Sequence, residues 1–172
     1  MAYTVRLLGP GDVPAYRALR LEGLALEPAA FASSLEDEQA QADDEWRTRL
    51  ARGDTFGVFD GDSLVGMATY YAENGAKLSH RGHLVGVYLQ PAARGTGAAD
   101  LLLAEVLRSA RERLKFLYLI VNAANGRARR FYERLGFVEF GRDPGGIVVD
   151  GTMYEDCLMM LRFDAKAAES DE

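Results

Sequence analysis

The sequence predicts a mixed α/β domain, with one central sheet carrying helices on both faces. Three observations lead there. Short runs of alternating or wholly apolar residues recur along the 172 positions, longer segments with apolar residues three and four apart separate them, and no linker or internal repeat divides the chain. The resulting order is β-α-α-β-β-β-α-β-α-β-β. One domain is expected over 1–163, followed by a charged tail over 164–172 that is expected to fray.

Each element has its own signal. "YTVRLL" alternates as a first strand and stops at "GPGD". Asp12 is placed to cap a helix running to about Glu27, with Pro14 in its first turn and Ala15, Leu19 and Ala18 or Glu22 marking its two faces. "EPAAFASS" breaks that helix. A second helical segment ends in "DDEWRTRLAR", where Asp43 or Asp44 can cap and Trp46 and Leu50, four apart, face inward. "TFGVF" and "LVGMATYYAE" form a hairpin about Asp60 and Gly61, and "HLVGVYLQ" follows as a further strand ended by Pro91. Leu103, Val106, Leu107, Ala110 and Leu114 form a helical stripe. "FLYLIVN" is apolar enough for a strand buried on both faces. "NGRARRFYERLG" is a last helix, capped by Asn125, stopped by Gly136, with Ala128, Phe131 and Leu135 inward. "FVEF" and "GTMYEDCLMMLRF" close the sheet, with "GRDPGGIVVDG" expected as a loop between them.

Composition narrows the function. Nearly half the residues are apolar and about a quarter charged, the balance of a globular protein. A net charge of −6 argues against a general nucleic-acid binder, and no apolar run approaches a membrane span. With Cys157 as the only cysteine and no apolar leader in "MAYTVRLLGPGDVP", residence in the cytoplasm is expected. The charge is unevenly spread. Glu22 to Glu45 holds eight acidic residues and no Lys or Arg, whereas Arg94 to Arg142 holds ten basic against five acidic. Two solvated faces of opposite sign explain this, as does a polyanionic ligand near the later half and a cationic one near the earlier.

The stretch "LQPAARGTGAADLLL" sits between strand and helix and invites a phosphate. A Walker loop requires a Gly-Lys pair, which the chain lacks. A dinucleotide fingerprint starting at Gly95 would put Asp100 where glycine is needed, and an aspartate repels the anion. What remains is Arg-x-x-Gly-x-Ala, met by Arg94, Gly97 and Ala99, with Gly95 as a further small residue. Bare backbone at a helix N-terminus offers N–H groups and a partial positive charge to a phosphate. A plain strand-to-helix turn fits the same letters.

A second motif decides between them. Paired with "NAANGRARRFYERLGF" on the next strand-helix unit, "VYLQPAARGTGAADLLL" resembles the GCN5-related N-acetyltransferase (GNAT) superfamily, over about Thr4 to Phe163. The resemblance implies a mostly antiparallel sheet whose two central strands splay around acetyl-CoA. It implies that Val87 and Leu89 offer backbone groups to the thioester carbonyl and pantetheine arm. Arg94, Gly95, Thr96, Gly97, Ala98 and Ala99 then cradle the pyrophosphate, Asn125 bonds the cofactor arm, and Tyr132 protonates the leaving thiolate. Direct acetyl transfer to a primary amine of a small molecule or peptide follows. The alternatives are a CoA-binding regulator without transfer, or a protein or peptide N-acetyltransferase. A homodimer is compatible with the family's habit.

Other candidates come from the residues themselves. Glu73 at the end of one strand and His83 at the start of the next are the candidates for a general base, with a water relay as the alternative. His80 and His83 face opposite ways if both lie on a strand, so no metal is expected. Cys157, inside "CLMMLRF", reads as a buried thiol, so no acyl-enzyme is expected. Arg94, Arg127, Arg129 and Arg130 are available to cofactor phosphates, and Glu27, Glu36, Asp37 and Glu38 to a cationic acceptor.

Overall fold

Period-two patterning produces seven strands that join in one sheet, in the order β1-β2-β3-β4-β5-β7-β6. A computed structural model describes residues 2–163, so the tail expected from Asp164 lies outside the described residues. The strands are β1 (Tyr3–Leu7), β2 (Thr55–Asp60), β3 (Ser63–Ala72), β4 (Arg81–Leu89), β5 (Phe116–Asn122), β6 (Val138–Val149) and β7 (Thr152–Arg162). Every pairing is antiparallel except β4 with β5.

The helices are α1 (Val13–Leu26), α2 (Leu35–Gln39), α3 (Asp43–Ala51), α4 (Ala98–Arg111) and α5 (Gly126–Arg134). Alternation along the strands builds two cores. Met67 and Tyr88 point to one side and join Tyr16, Leu19, Trp46 and Leu50 of α1 and α3. Ala68, Leu84 and Met159 point to the other and meet Leu102, Leu103 and Val106 of α4 together with Tyr132 of α5. Burying such side chains on both faces is the main favourable contribution to folding.

Several local expectations are revised by tertiary contacts. Asp12 flanks α1, but its carboxylate accepts from Arg6 at 2.7 Å and from the Gly9 N–H at 2.9 Å rather than capping the helix. Neither Asp43 nor Asp44 caps α3. Glu45 reaches back to the Ala42 N–H at 2.8 Å, which frees Asp43 to pair with Arg17 at 2.9 Å. The expected loop "GRDPGGIVVDG" is mostly strand. β6 continues to Val149, with its register interrupted between Asp143 and Ile147 because Pro144 donates no ladder bond. Asp150 and Gly151 then turn the chain at positive φ, 48° and 78°.

Glu38 fastens the three helices on the first face. Only 2 % exposed, it accepts from Arg20 at 2.7 and 3.0 Å and from Arg49 at 3.2 Å. Burial raises its pKa, but the two guanidiniums outweigh burial and hold it below the ordinary glutamate range. A depressed folded pKa contributes stability above the unfolded pKa, and that contribution disappears as pH falls through the folded value. Glu38→Gln should therefore cost about 3 kcal/mol or more at neutral pH, because it strands buried guanidiniums. The deficit relative to wild type should shrink in urea titrations carried out below the ordinary glutamate range.

Candidate active site

Where β4 and β5 part, the sheet opens. They pair only at Arg81–Phe116, Gly82–Leu117 and His83–Tyr118. Beyond that point β4 bulges against β3, since Val85 opposes Thr69 and Tyr88 opposes Met67, so two residues of β4 face the single Ala68. Gly86 takes φ +61° there, and a Cβ on it would press on the Arg20 guanidinium at 3.2 Å. Gln90 N–H still donates to Val65 O of β3 at 2.9 Å. By strand alternation the backbone groups of Leu89, and of Val87 before Tyr88, turn toward the opening.

A cleft of about 730 Å³ occupies this opening. Val87, Leu89 and Asn122 form its strand walls, Asn125 and Tyr132 its α5 wall, and Glu27 to Phe31 its rim on the α1 side. At one end lies the glycine loop. Gly95 (φ 76°) and Gly97 (φ 91°) adopt left-handed conformations, and Gly97 immediately precedes the first turn of α4. Among the described residues, the N–H groups of Gly95, Thr96 and Gly97 donate to no backbone carbonyl. This is the donor set a pyrophosphate requires, at the positive end of a helix. Thr96 turns its hydroxyl inward to Ala93 O at 2.6 Å. Ala98 is sealed in the core, so it can offer only backbone, whereas Ala99 lines the cleft.

The arginines divide. Arg94 lines the cleft, but its Nε donates to Leu89 O at 3.0 Å and its NH1 pairs with Glu27 at 3.0 Å. Arg127 lines it without an ion pair among the described residues. Arg129 instead reaches Glu139 at 3.0 Å, and Arg130 is not on the cleft wall. Arg134, not anticipated, lines the cleft beside Asp100 at 3.3 Å. Of the expected acidic residues, Glu38 is consumed by Arg20 and Arg49, and Glu36 and Asp37 face outward from α2.

Asn125 caps α5 through its side-chain oxygen, which accepts from Ala128 N–H at 3.1 Å. Its amide nitrogen makes no hydrogen bond among the described residues. Tyr132 reverses the expected order of burial: it is 8 % exposed, while Phe131 stays half-buried on the cleft wall. The reason is packing. Phe137 returns after Gly136 and meets the Tyr132 ring edge-on at 5.8 Å, drawing the tyrosine inward. Its hydroxyl makes no hydrogen bond among the described residues, and burial pushes its pKa well above the ordinary phenol value. It therefore stays protonated.

Glu73 and His83 come together, Oε1 to Nε2, at 2.8 Å. The same oxygen meets Arg81 Nε at 2.7 Å, and these partners, the His83 bond first, hold Glu73 below the ordinary range. Neither residue lines the cleft. His80 lies in the turn before β4 rather than on it, its ring 6.2 Å from Phe116. Among the described residues no group of His, Cys, Asp or Glu could hold a metal. Cys157 is fully buried, and burial raises its thiol pKa. No helix among the described residues is long and apolar enough to cross a membrane. Two cleft residues had weak sequence signals: Asn122, a polar end to an apolar strand, and Phe31, an aromatic inside a small-residue loop.

Known proteins share this architecture. A family model described as the acetyltransferase (GNAT) family matches residues 20–137. Among solved structures, a GNAT-family acetyltransferase from Streptococcus pneumoniae superposes with TM-score 0.84 at 22 % identity, over 95 % of this chain and all of that one. The yncA protein of Salmonella typhimurium, solved with its cofactor acetyl-CoA, gives 0.81 at 20 % identity over 98 % of each chain. The ribosomal-protein-S18-alanine N-acetyltransferase of Escherichia coli gives 0.73 at 18 % over 99 % of each. A comparison with curated protein sequences finds no match. With a family model spanning both motifs and the splayed sheet they require, this chain belongs to the GNAT family of acetyl-CoA-dependent acetyltransferases.

Proposed function

We propose that the chain transfers the acetyl group of acetyl-CoA directly to a primary amine, with the cleft between β4 and β5 as its active site. One observation carries the reading. Uncommitted N–H groups of the glycine loop, the outward backbone of Val87 and Leu89, and the Tyr132 hydroxyl border one continuous cleft. In this reading the loop from Arg94 to Ala99 and the start of α4 hold the pyrophosphate, with Arg127 adding charge. Val87 N–H donates to the thioester oxygen, where negative charge grows during attack. Leu89 and the Asn125 amide bind the arm. Tyr132 gives its proton to the departing sulfur. Acetyl-CoA supplies the activated acyl group; the protein orients it, steadies the developing charge and delivers the proton.

The acceptor enters from the rim between Glu27 and Phe31. Its narrower identification as a cationic amine rests on Glu36 and Asp37, which remain exposed on α2, because Glu38 and Glu27 are already paired.

Tyr132→Phe should lower kcat about 10²-fold or more while leaving CoA affinity within about twofold. Thiol release under saturating acetyl-CoA and calorimetric titration with CoA measure the two quantities, and an unchanged kcat would remove Tyr132 from proton transfer. Because Cys157 is sealed and its thiol pKa raised, no acetylated protein should accumulate. Intact mass after rapid acid quench checks this, and an acetyl adduct on Cys157 would replace direct transfer by an acyl-enzyme route.

A further inference from the structure

Two acidic side chains are buried among the described residues, and they are treated very differently. Glu38 has two arginines. Asp156, 8 % exposed on β7, has no hydrogen bond or ion pair among the described residues. The charged group that bears on it is a like charge, Asp143 on β6, and burial and that neighbour raise its pKa. Leaving a carboxylate so placed destabilises the fold.

Its position gives the carboxylate a use. Asp156 is the register partner of Asn122 on β5 and of Asp143 on β6. Directly paired residues share a face, so Asp156 lies beside Asn122, a wall residue of the cleft. Cys157 and Met159 occupy the opposite, α4 side. Above Asp156, the 3₁₀ turn Pro28–Ala30 packs against both β5 and β6, and its Ala29 and Ala30 line the cleft. The interruption in β6 brings Gly146 over the carboxylate, where a Cβ would overlap it. Bare backbone is needed there. The Asp156 oxygens are nevertheless not among the side-chain atoms that are sealed from solvent without a hydrogen bond. They keep a little solvent contact, and although Asp156 is not itself on the cleft wall, its neighbour Asn122 is.

We propose that Asp156 is the acceptor-side carboxylate: it receives the ammonium of the incoming amine beside Asn122 and takes its proton. The inference rests on the acetyl-transfer reading above and supplies the base that reading lacks. Glu73 is less suited, since His83 and Arg81 already claim its oxygen. An ammonium provides Asp156 with its missing counter-charge. One proton passes from R–NH3⁺ to Asp156. The neutral amine then forms the C–N bond, the C–S bond breaks with its electron pair going to sulfur, and Tyr132 protonates that sulfur. The surplus proton on the new amide nitrogen restores Tyr132, and Asp156 releases its own to water, one proton net per turnover.

The test uses the full chain and its Asp156→Asn variant, with CoA alone and with acetyl-CoA plus a panel of primary alkylamines, diamines and short peptides. The variant should melt higher than wild type at neutral pH, because a charge without a counter-ion is gone. Since the folded pKa of Asp156 is raised, wild type loses stability as pH rises through it, so the advantage of the variant should vanish in acid. Neutral Asn122 and the alanines of the turn add no charge that would reverse this sign; Asp143 reinforces it. CoA affinity should stay within about twofold while kcat/KM for the best amine falls about 100-fold or more. A variant that keeps kcat/KM, or melts lower and binds CoA poorly, overturns the proposal and makes Asp156 structural. Wild type that binds CoA yet releases no thiol with any amine overturns the transfer reading, and this inference with it. Release that survives in the variant overturns this inference alone.

Discussion

Everything at the cleft depends on β4 giving up one of its two neighbours. A central strand ordinarily spends all its backbone groups on the strands beside it, and here β4 does so only as far as His83. The bulge at Gly86 then keeps β4 in register with β3 while β5 follows β7 away. One side of β4 is left with groups that need partners. A residue with a side chain at Gly86 would meet both an unfavourable φ and the Arg20 guanidinium, so the opening is built into the backbone. The cleft, the exposed N–H groups and the approach of Asn122 all follow from this divergence.

Charge is used mainly to brace that opening. Glu27 of the acidic early stretch pairs with Arg94 of the basic later one, while Glu38 and Asp43 pair closer along the chain, with Arg20 and Arg17. Tyr88 adds to the brace, donating to Glu22 at 2.8 Å, with Gln90 donating to the same carboxylate at 3.0 Å. These contacts tie the end of α1 to the end of β4 across the cleft mouth. Part of the acidic stretch is therefore taken up by internal pairing, which a count along the sequence could not separate from a field aimed at ligands. Asp156 is the exception, a buried charge with nothing opposite it.

The parts legible in the sequence share a local origin. Gly95, Gly97, Asn125 and Gly136 act through their own φ or their own side chain on the next turn, and the structure has each where the pattern put it. Trp46 and Leu50, four apart, are buried as expected. The parts that were not legible depend on which of several possible partners a side chain takes. Asp12, Asp43 and Asp44 look like caps by type and place, yet Arg6, Arg17 and Arg47 claim them. Phe131 and Tyr132 could each have been the inward residue, and Phe137 selects Tyr132. Pro144 and the two glycines after it read as a loop, although β7 holds that stretch as an interrupted strand.

By itself the sequence determined the order of the strands and longer helices, apart from the short α2, together with the glycine turn before α4 and the glycine stop after α5, because these rest on backbone preference and short-range periodicity. It also carried enough of both motifs to point to acetyl-CoA. Only the tertiary structure decided which groups remain uncommitted. Arg94 is occupied, Arg127 is not; Glu73 is occupied, Asp156 is not. A side chain's availability for chemistry depends on every partner brought within a few ångströms by folding, whether that partner lies ten residues away, as His83 does from Glu73, or 67, as Glu27 does from Arg94.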